Sequence, residues 1–291
     1  ISEIPIVIVE AQRPGPATGL PTRTEQADLL FVLHAGHGEF PRVLFAPGSP
    51  EQAVYLTNKA FDLAEKYQIP AIILSDQLLA DSEWTYEKID RSPLLFNDYR
   101  DRSNDDNPEA YKRYQLNESG ISPLAVPGLS KKLVVVDSHE HDEEGHIIED
   151  AQIRTRMVEK RCSLKWPALR AEIAQPLFYG HEKPGIVLVG YGSTYGIMRD
   201  AVDALRGEKD IAMLHFSELY PFPDPDQGDY LAILNGADLA ICVENNMTGQ
   251  FARLFRSETG YVFPASIRKY DGRPFLLEPF VDEINERIGK I

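Results

Sequence analysis

A chain of 291 residues, 43% hydrophobic and with a formal net charge of −15, is long enough for two cores and reads as a soluble cytoplasmic protein. The acidic balance argues against nonspecific nucleic-acid binding, no apolar run approaches the length of a membrane span, and no signal peptide is expected. Cys162 and Cys242, the only cysteines, cannot supply the four thiolates of an ordinary iron–sulfur cluster, and so low a count suits a reducing compartment.

Ile4–Val9 predicts a strand, apolar on both sides as in a buried parallel sheet. The run from Arg13 to Thr22 is rich in Gly and Pro, so its path is stiff and turn-filled. Thr22 and Glu25 stand at capping-box spacing ahead of Leu29, Leu30, Val32 and Leu33, which predicts a helix over 24–34. Uncapped N–H groups at that helix start, together with the planar guanidinium of Arg13, would form a site for a carboxylate or phosphate. The bland alternatives are a solvated loop arginine and a threonine that only caps its helix.

Val43–Ala46 predicts a strand, and Ser49-Pro50-Glu51-Gln52 a helix start, with Ser as N-cap and Gln closing a capping box. That helix should run to about Tyr67. Pro70–Ser75 predicts a buried strand, and strands alternating with helices give a parallel α/β sheet. From Asp81 to about Pro127 the pattern is lost in an extended crossing segment, with an Asp/Asn cluster at 101–107. Leu133–Val136 predicts a strand, and Arg154–Arg161 a basic helix start. A second α/β unit has strands at Gly185–Val189, Ile211–His215 and Leu239–Val243, and helices at Tyr195–Leu205, Gly249–Arg256 and near Phe280–Ile288.

Other motifs are weaker. Gly190 and Gly192 suggest a dinucleotide fingerprint, but Gly196 falls one residue late and no acid follows at the right distance, so a tight strand-to-helix turn is the better reading. His139, His141 and His146 stand among acids, but their spacing fits no metal signature and a solvated acidic turn is expected. Glu244-Asn245-Asn246 ends a strand, where α/β sites lie, although a polar turn accounts for it too. No Ser/His/Asp nucleophile arrangement can be argued.

The stretch Arg13-Pro14-Gly15-Pro16-Ala17-Thr18-Gly19-Leu20-Pro21-Thr22-Arg23-Thr24-Glu25-Gln26-Ala27-Asp28-Leu29 resembles the α subunit of the 2-oxoacid:ferredoxin oxidoreductases, particularly the 2-oxoglutarate branch. It departs from the family pattern at Pro14, which removes an N–H, and at Ala17, which removes a hydroxyl. The stretches 113–123 and 140–161 resemble the family as well. The resemblance implies an α/β fold of two parallel-sheet domains. Residues 1–165 would be a truncated thiamine pyrimidine-binding domain plus the crossing segment, and 166–291 a transketolase C-terminal-like domain. The preceding half-domain of relatives, with its Tyr-Pro-Ile-Thr-Pro motif and the Glu that holds the aminopyrimidine, is not in this sequence.

The same resemblance implies CoA-dependent oxidative decarboxylation of a 2-oxoacid, with 2-oxoglutarate the best guess, giving acyl-CoA, carbon dioxide and reduced ferredoxin. Arg13 would bind the 2-oxoacid carboxylate and Thr22 would lie beside it. No catalytic residue is expected in the segment. Thiamine diphosphate and magnesium would sit at the interface with a β subunit, and an iron–sulfur cluster on that partner, none held by this chain alone. Ferredoxin would be met through the complex, and the acidic charge argues against placing its dock here. Two other readings stay open: a non-catalytic α/β scaffold that docks subunits, and another thiamine-dependent, transketolase-like enzyme.

Overall fold

The computed structural model describes residues 1–85, 88–102 and 111–290, and contains two parallel-rich sheets. The first has β1 (Ile6–Gln12), β2 (Val43–Phe45) and β3 (Pro70–Asp76). β3 lies in the middle, parallel to both β1 and β2, with Ile6 opposite Pro70 and Gln12 opposite Asp76. Between β3 and the second sheet the chain forms α3 (Gln77–Asp81), a two-stranded ladder of β4 (Arg100–Asp101) with β5 (Leu124–Ala125), α4 (Ala151–Glu159), a π-helical turn (Lys160–Leu164) and α5 (Trp166–Ala171). The second sheet runs β11 (Ala265–Arg268), β10 (Leu239–Glu244), β7 (Ile186–Tyr191), β8 (Ile211–Phe216), β6 (Leu177–Gly180), parallel except for β6. The short strand β9 (Glu218–Tyr220) leaves β8 and adds antiparallel to β2, stitching the second half of the chain onto the first sheet.

Helix α2 (Pro50–Tyr67) forms as its sequence requires. The Ser49 hydroxyl accepts the Gln52 N–H at 3.2 Å, while the Gln52 side chain accepts from Gly48 rather than from Ser49. Its apolar stripe of Leu56, Ala60, Leu63 and Ala64 covers one face of the first sheet, with Leu169 of α5 beside it. The other face of that sheet and one face of the second meet around α1 (Leu29–Leu33) and α8 (Gln250–Thr259). Phe216 packs there against Phe222 at 5.5 Å and Phe251 at 5.3 Å between ring centroids, at the centre of an aromatic cluster that reaches Tyr230 of α7 (Tyr230–Gly236). Helices α6 (Thr194–Leu205) and α9 (Leu277–Ile288) cover the outer face of the second sheet.

The structure departs from the sequence reading in four places. β1 runs from Ile6 to Gln12 instead of Ile4 to Val9, at the edge of its sheet, with Ile6, Ile8 and Val9 exposed. Leu133–Val136 is not a strand: both its end residues are exposed and no strand pairs with it among the described residues. The predicted helix over 24–34 begins only at Leu29. The turn at 139–146 is not simply solvated, because His141 is fully buried and stacks on Tyr114 with ring centroids 3.7 Å apart. Its neighbour Glu140 is held by Arg154 and Arg161. The Asp/Asn cluster at 101–107 lies, from residue 103 onward, outside the described residues. Among the described residues no helix is long and apolar enough to cross a membrane.

Candidate active site

In parallel sheets, ligand sites form beyond the carboxyl ends of the strands. Here a cleft of about 500 Å³ is lined by Gly48 after β2, Leu79 after β3, Ser193 after β7, Asn245 after β10 and Phe275 after β11. Thr24, on the segment that follows β1, closes the ring. The two halves of the chain meet there very closely. A Cβ on Gly48 would lie 2.4 Å from the Tyr195 Cβ, 2.5 Å from the Gly192 carbonyl oxygen and 2.9 Å from the His215 ring. Only glycine lets the β2–α2 loop approach the β7–α6 turn this far.

Gln26 ties the loop after β1 to the second sheet. It is fully buried, and its amide donates to the Tyr191 carbonyl at 2.9 Å and accepts the Asn245 N–H at 3.0 Å. Its backbone N–H donates to the Asn245 carbonyl at 2.7 Å, and its carbonyl accepts from the Tyr191 hydroxyl and the Asn246 amide, both at 3.1 Å. This explains why residues 24–28 are not helical. Their backbone groups find partners on β7, β10 and α8, so a helix would have to break those bonds. Gln250 of α8 completes the exchange, accepting the Leu30 N–H and donating to the Ala27 carbonyl. The Asp28 and Leu30 N–H groups at the start of α1 are engaged by Gln12 and Gln250, and the helix starts at Leu29, so the helix N-terminus expected near Thr22 is not there. Nor is Thr22 a cap: it is an exposed turn residue, and the N-cap position is Asp28.

Arg13 begins the exposed loop just beyond β1. The loop is closed by the Leu20 N–H donating to the Pro14 carbonyl at 3.1 Å, and Gly19 presses so tightly on that carbonyl that a Cβ would sit 1.9 Å from its oxygen. The Arg13 guanidinium is exposed and makes one long bond to the Ala17 carbonyl, at 3.4 Å. No carboxylate is within ion-pair distance of it among the described residues. Asp28 is close enough to feel its charge, although burial dominates and raises the Asp28 carboxyl above its usual range. Arg13 and Thr22 thus share one rigid loop, with most of the arginine's donors available.

Asp76, at the end of β3, is almost fully buried and bonds to two residues that line the cleft. It accepts from the Ser193 hydroxyl and from the Leu79 N–H. Burial raises its pKa, and bonds from Ser193, Leu79 and Thr24 oppose that rise. His215 donates from Nε2 to the Gly192 carbonyl at 2.9 Å if Nδ1 is the unprotonated nitrogen; burial pushes its pKa down to about 4, so it is neutral at pH 7. Glu244 is structural: its carboxylate accepts the Phe251 and Ala252 N–H groups at 2.7 and 3.1 Å and so holds the start of α8. Asn245 donates to the Lys269 carbonyl at 3.0 Å, while its own amide oxygen is buried without a hydrogen-bond partner.

Sequence reasoning placed Arg13 and Thr22 on one loop and the tight turn at Gly190–Gly192. It did not single out Gln26, Asp76, Ser193 or Gln250. Asp76 ending a strand that opens with the apolar run Pro70–Leu74 was the one available signal; Gln26 carried none beyond its place in the Thr-Glu-Gln run. No group of three or more His, Cys, Asp or Glu residues suited to a metal ion occurs among the described residues.

Residues 1–160 match the family model described as pyruvate flavodoxin/ferredoxin oxidoreductase, thiamine diphosphate-binding. The whole chain is 37% identical, over 296 residues, to the α subunit of 2-oxoacid:ferredoxin oxidoreductase 1 from Sulfurisphaera tokodaii, of which it covers 45%. It is 29% identical over 287 residues to 2-oxoglutarate oxidoreductase subunit KorA of Mycobacterium tuberculosis, of which it covers 41%. Among solved structures, 2-oxoglutarate:ferredoxin oxidoreductase from Magnetococcus marinus, with 2-oxoglutarate, coenzyme A and succinyl-CoA bound, superposes with a TM-score of 0.87 at 31% identity, over 99% of this chain and 49% of that one. The chain thus spans about half the length of the relatives it matches.

Proposed function

The chain belongs to the pyruvate flavodoxin/ferredoxin oxidoreductase family, in its thiamine diphosphate-binding part, and from that premise we propose that it is the α-subunit region of a 2-oxoacid:ferredoxin oxidoreductase. Residues 1–165 act as the partial pyrimidine-binding domain and 166–291 as the transketolase C-terminal-like domain. The reaction is CoA-dependent oxidative decarboxylation, with 2-oxoglutarate the favoured substrate because relatives and a structural neighbour carry that name. A β subunit is the partner, and ferredoxin the electron acceptor of the complex. The setting is cytoplasmic.

The observation that carries this reading is the Arg13 loop, rigid in itself and clamped by Gln26 beyond the strand ends. Arg13 offers parallel guanidinium donors to the carboxylate of a 2-oxoacid, and Thr22 stands on the same loop. The cleft beside this loop is lined by hydroxyls and an amide and by no lysine or arginine, and Arg13 and Thr22 are not among its lining residues. Its acids, Glu83 and Asp200, do not suit a diphosphate, and the chain supplies no ligand set for magnesium among its described residues. In this reading thiamine diphosphate, which would supply the carbanion chemistry, sits with magnesium at the interface with the β subunit, and an iron–sulfur cluster lies on that partner. This chain's part is to bind and orient the substrate. Co-purifying the chain with its β subunit and measuring CoA-dependent reduction of a low-potential viologen by 2-oxoglutarate and by pyruvate tests the proposal. Turnover with sugar phosphates instead of 2-oxoacids would refute it.

A further inference from the structure

Another cavity, of about 640 Å³, opens between the segment 38–42 that leads into β2, the π-helical turn and α5, and the later turns of α8. Arg42 lines it and is buried, 6% exposed. One of its nitrogens, Nη1, donates to the Ala35 and Val32 carbonyls at 2.7 and 3.2 Å, and its guanidinium lies 4.1 Å from the centre of the Phe40 ring. Its Nε and Nη2 groups make no hydrogen bond among the described residues, and Arg42 lines the cavity. A buried guanidinium normally faces a carboxylate. None lies within ion-pair distance of Arg42 among the described residues, although Glu39 and Glu258 are on the same wall. The flanking wall is aromatic, with Trp166 and Tyr220 5.4 Å apart between ring centroids, and Arg253 adds a second cation.

We infer that this cavity is a binding site for an organic anion, a carboxylate or phosphate attached to a flat ring, with the anion on the free edge of Arg42 and the ring against Trp166 and Tyr220. A buried charge gains from an anion that replaces the water it now faces, and the bidentate edge of a guanidinium suits either oxyanion. The two rings, packed on one another at a tilt of 57°, present one apolar aromatic surface for a ligand ring, and the volume admits a molecule of nucleotide size. The acids at the rim disfavour a highly charged ligand, which points to one anionic group rather than several. The inference does not depend on the oxidoreductase reading.

Calorimetric titration of the full chain with AMP, indole-3-acetate, adenosine and inorganic phosphate tests it. At least one ring-bearing anion should bind tenfold or more tightly than both adenosine and phosphate; AMP against indole-3-acetate then identifies the preferred oxyanion. Arg42→Met should weaken that ligand at least tenfold. Because Arg42 also holds two carbonyls, Trp166→Ala provides a second arm, in which affinity should fall to that of the anion alone. The ligand should also slow alkylation of Cys162, which lines the cavity, at least fivefold, with fully buried Cys242 as the internal control. Ring-bearing anions that bind no better than phosphate or adenosine would overturn the inference. So would undiminished binding to both variants, or an unchanged Cys162 rate at saturation.

Discussion

Gln26 and Asn245 exchange two hydrogen bonds across the junction of the two sheets, N–H to carbonyl at 2.7 Å and N–H to side-chain amide at 3.0 Å. Through this exchange the loop that carries Arg13 is fixed to the end of β10 and, through Tyr191, to the end of β7. Gln26→Ala would leave the Asn245 N–H unpaired in a dry interior, while the Tyr191 carbonyl would keep only the Thr194 hydroxyl. A loss of about 1–3 kcal/mol is expected in urea unfolding, the cost of one orphaned buried group. In the αβ complex KM for the 2-oxoacid should rise more than kcat falls, because the loop loses its anchor while its side chains remain. An unchanged KM in a folded variant would show that the clamp does not position the loop.

Arg13→Lys should reduce kcat/KM for 2-oxoacids on the order of 100-fold, with assembly and thiamine content unchanged, because charge is kept but orientation is lost. Steady-state kinetics on 2-oxoglutarate and pyruvate check this. Near-normal values would make Arg13 a surface residue. Thr22→Ala should cost little stability, within about 0.5 kcal/mol, since Thr22 is exposed and caps no helix. Any loss of turnover in that variant then reports on the substrate site alone.

His215 should make the fold acid-sensitive. Its pKa falls from 6.5 to about 4 on folding, so the unfolded chain binds the proton first. Its contribution is fully present above about pH 6.5 and is lost progressively as pH falls toward 4, amounting to about 3 kcal/mol at most. Glu3, held near 2 by Lys160 and Lys165, adds a second loss below about pH 4.5. Unfolding free energies of the parent and of His215→Gln between pH 7.5 and 4.5 would separate them. The variant should show a shallower slope above pH 5, and equal slopes would rule out His215 as the cause.

Gly48→Ala inserts a methyl group between the Gly192 carbonyl and the Tyr195 Cβ. Neither is the end of a flexible side chain, so the two halves must separate. A fall in Tm equivalent to about 1–3 kcal/mol is expected. Gly196→Ala, where a Cβ meets nothing within 4 Å, is the matched control and should be neutral or slightly stabilising.

The exposed edge of β1 carries Ile6 and Ile8 with no strand beyond it among the described residues. Such an edge invites pairing with another chain. Sedimentation of the 291-residue chain alone should show self-association that Ile8→Lys reduces. A monomer at high concentration in the parent would contradict this.

The sequence by itself determined the local elements. Ser49, Pro50 and Gln52 start α2 by contacts within one turn, and the apolar runs at 70–75, 186–189, 211–215 and 239–243 form parallel strands because little else can bury them. The family likeness of the Arg13 loop was legible for the same reason, as a contiguous motif. Tertiary structure decided what depends on distant partners. Residues 24–28 have the pattern of a helix start, but Asn245, Asn246, Tyr191 and Gln250 outbid the helix for their backbone groups, more than 160 positions away in the chain. β9 is three residues long and gains its identity only from pairing with β2. The polar run 244–246 became a buried clamp, and Arg42 a buried cation without an acid, because burial is set by what packs on a residue and not by its neighbours in sequence.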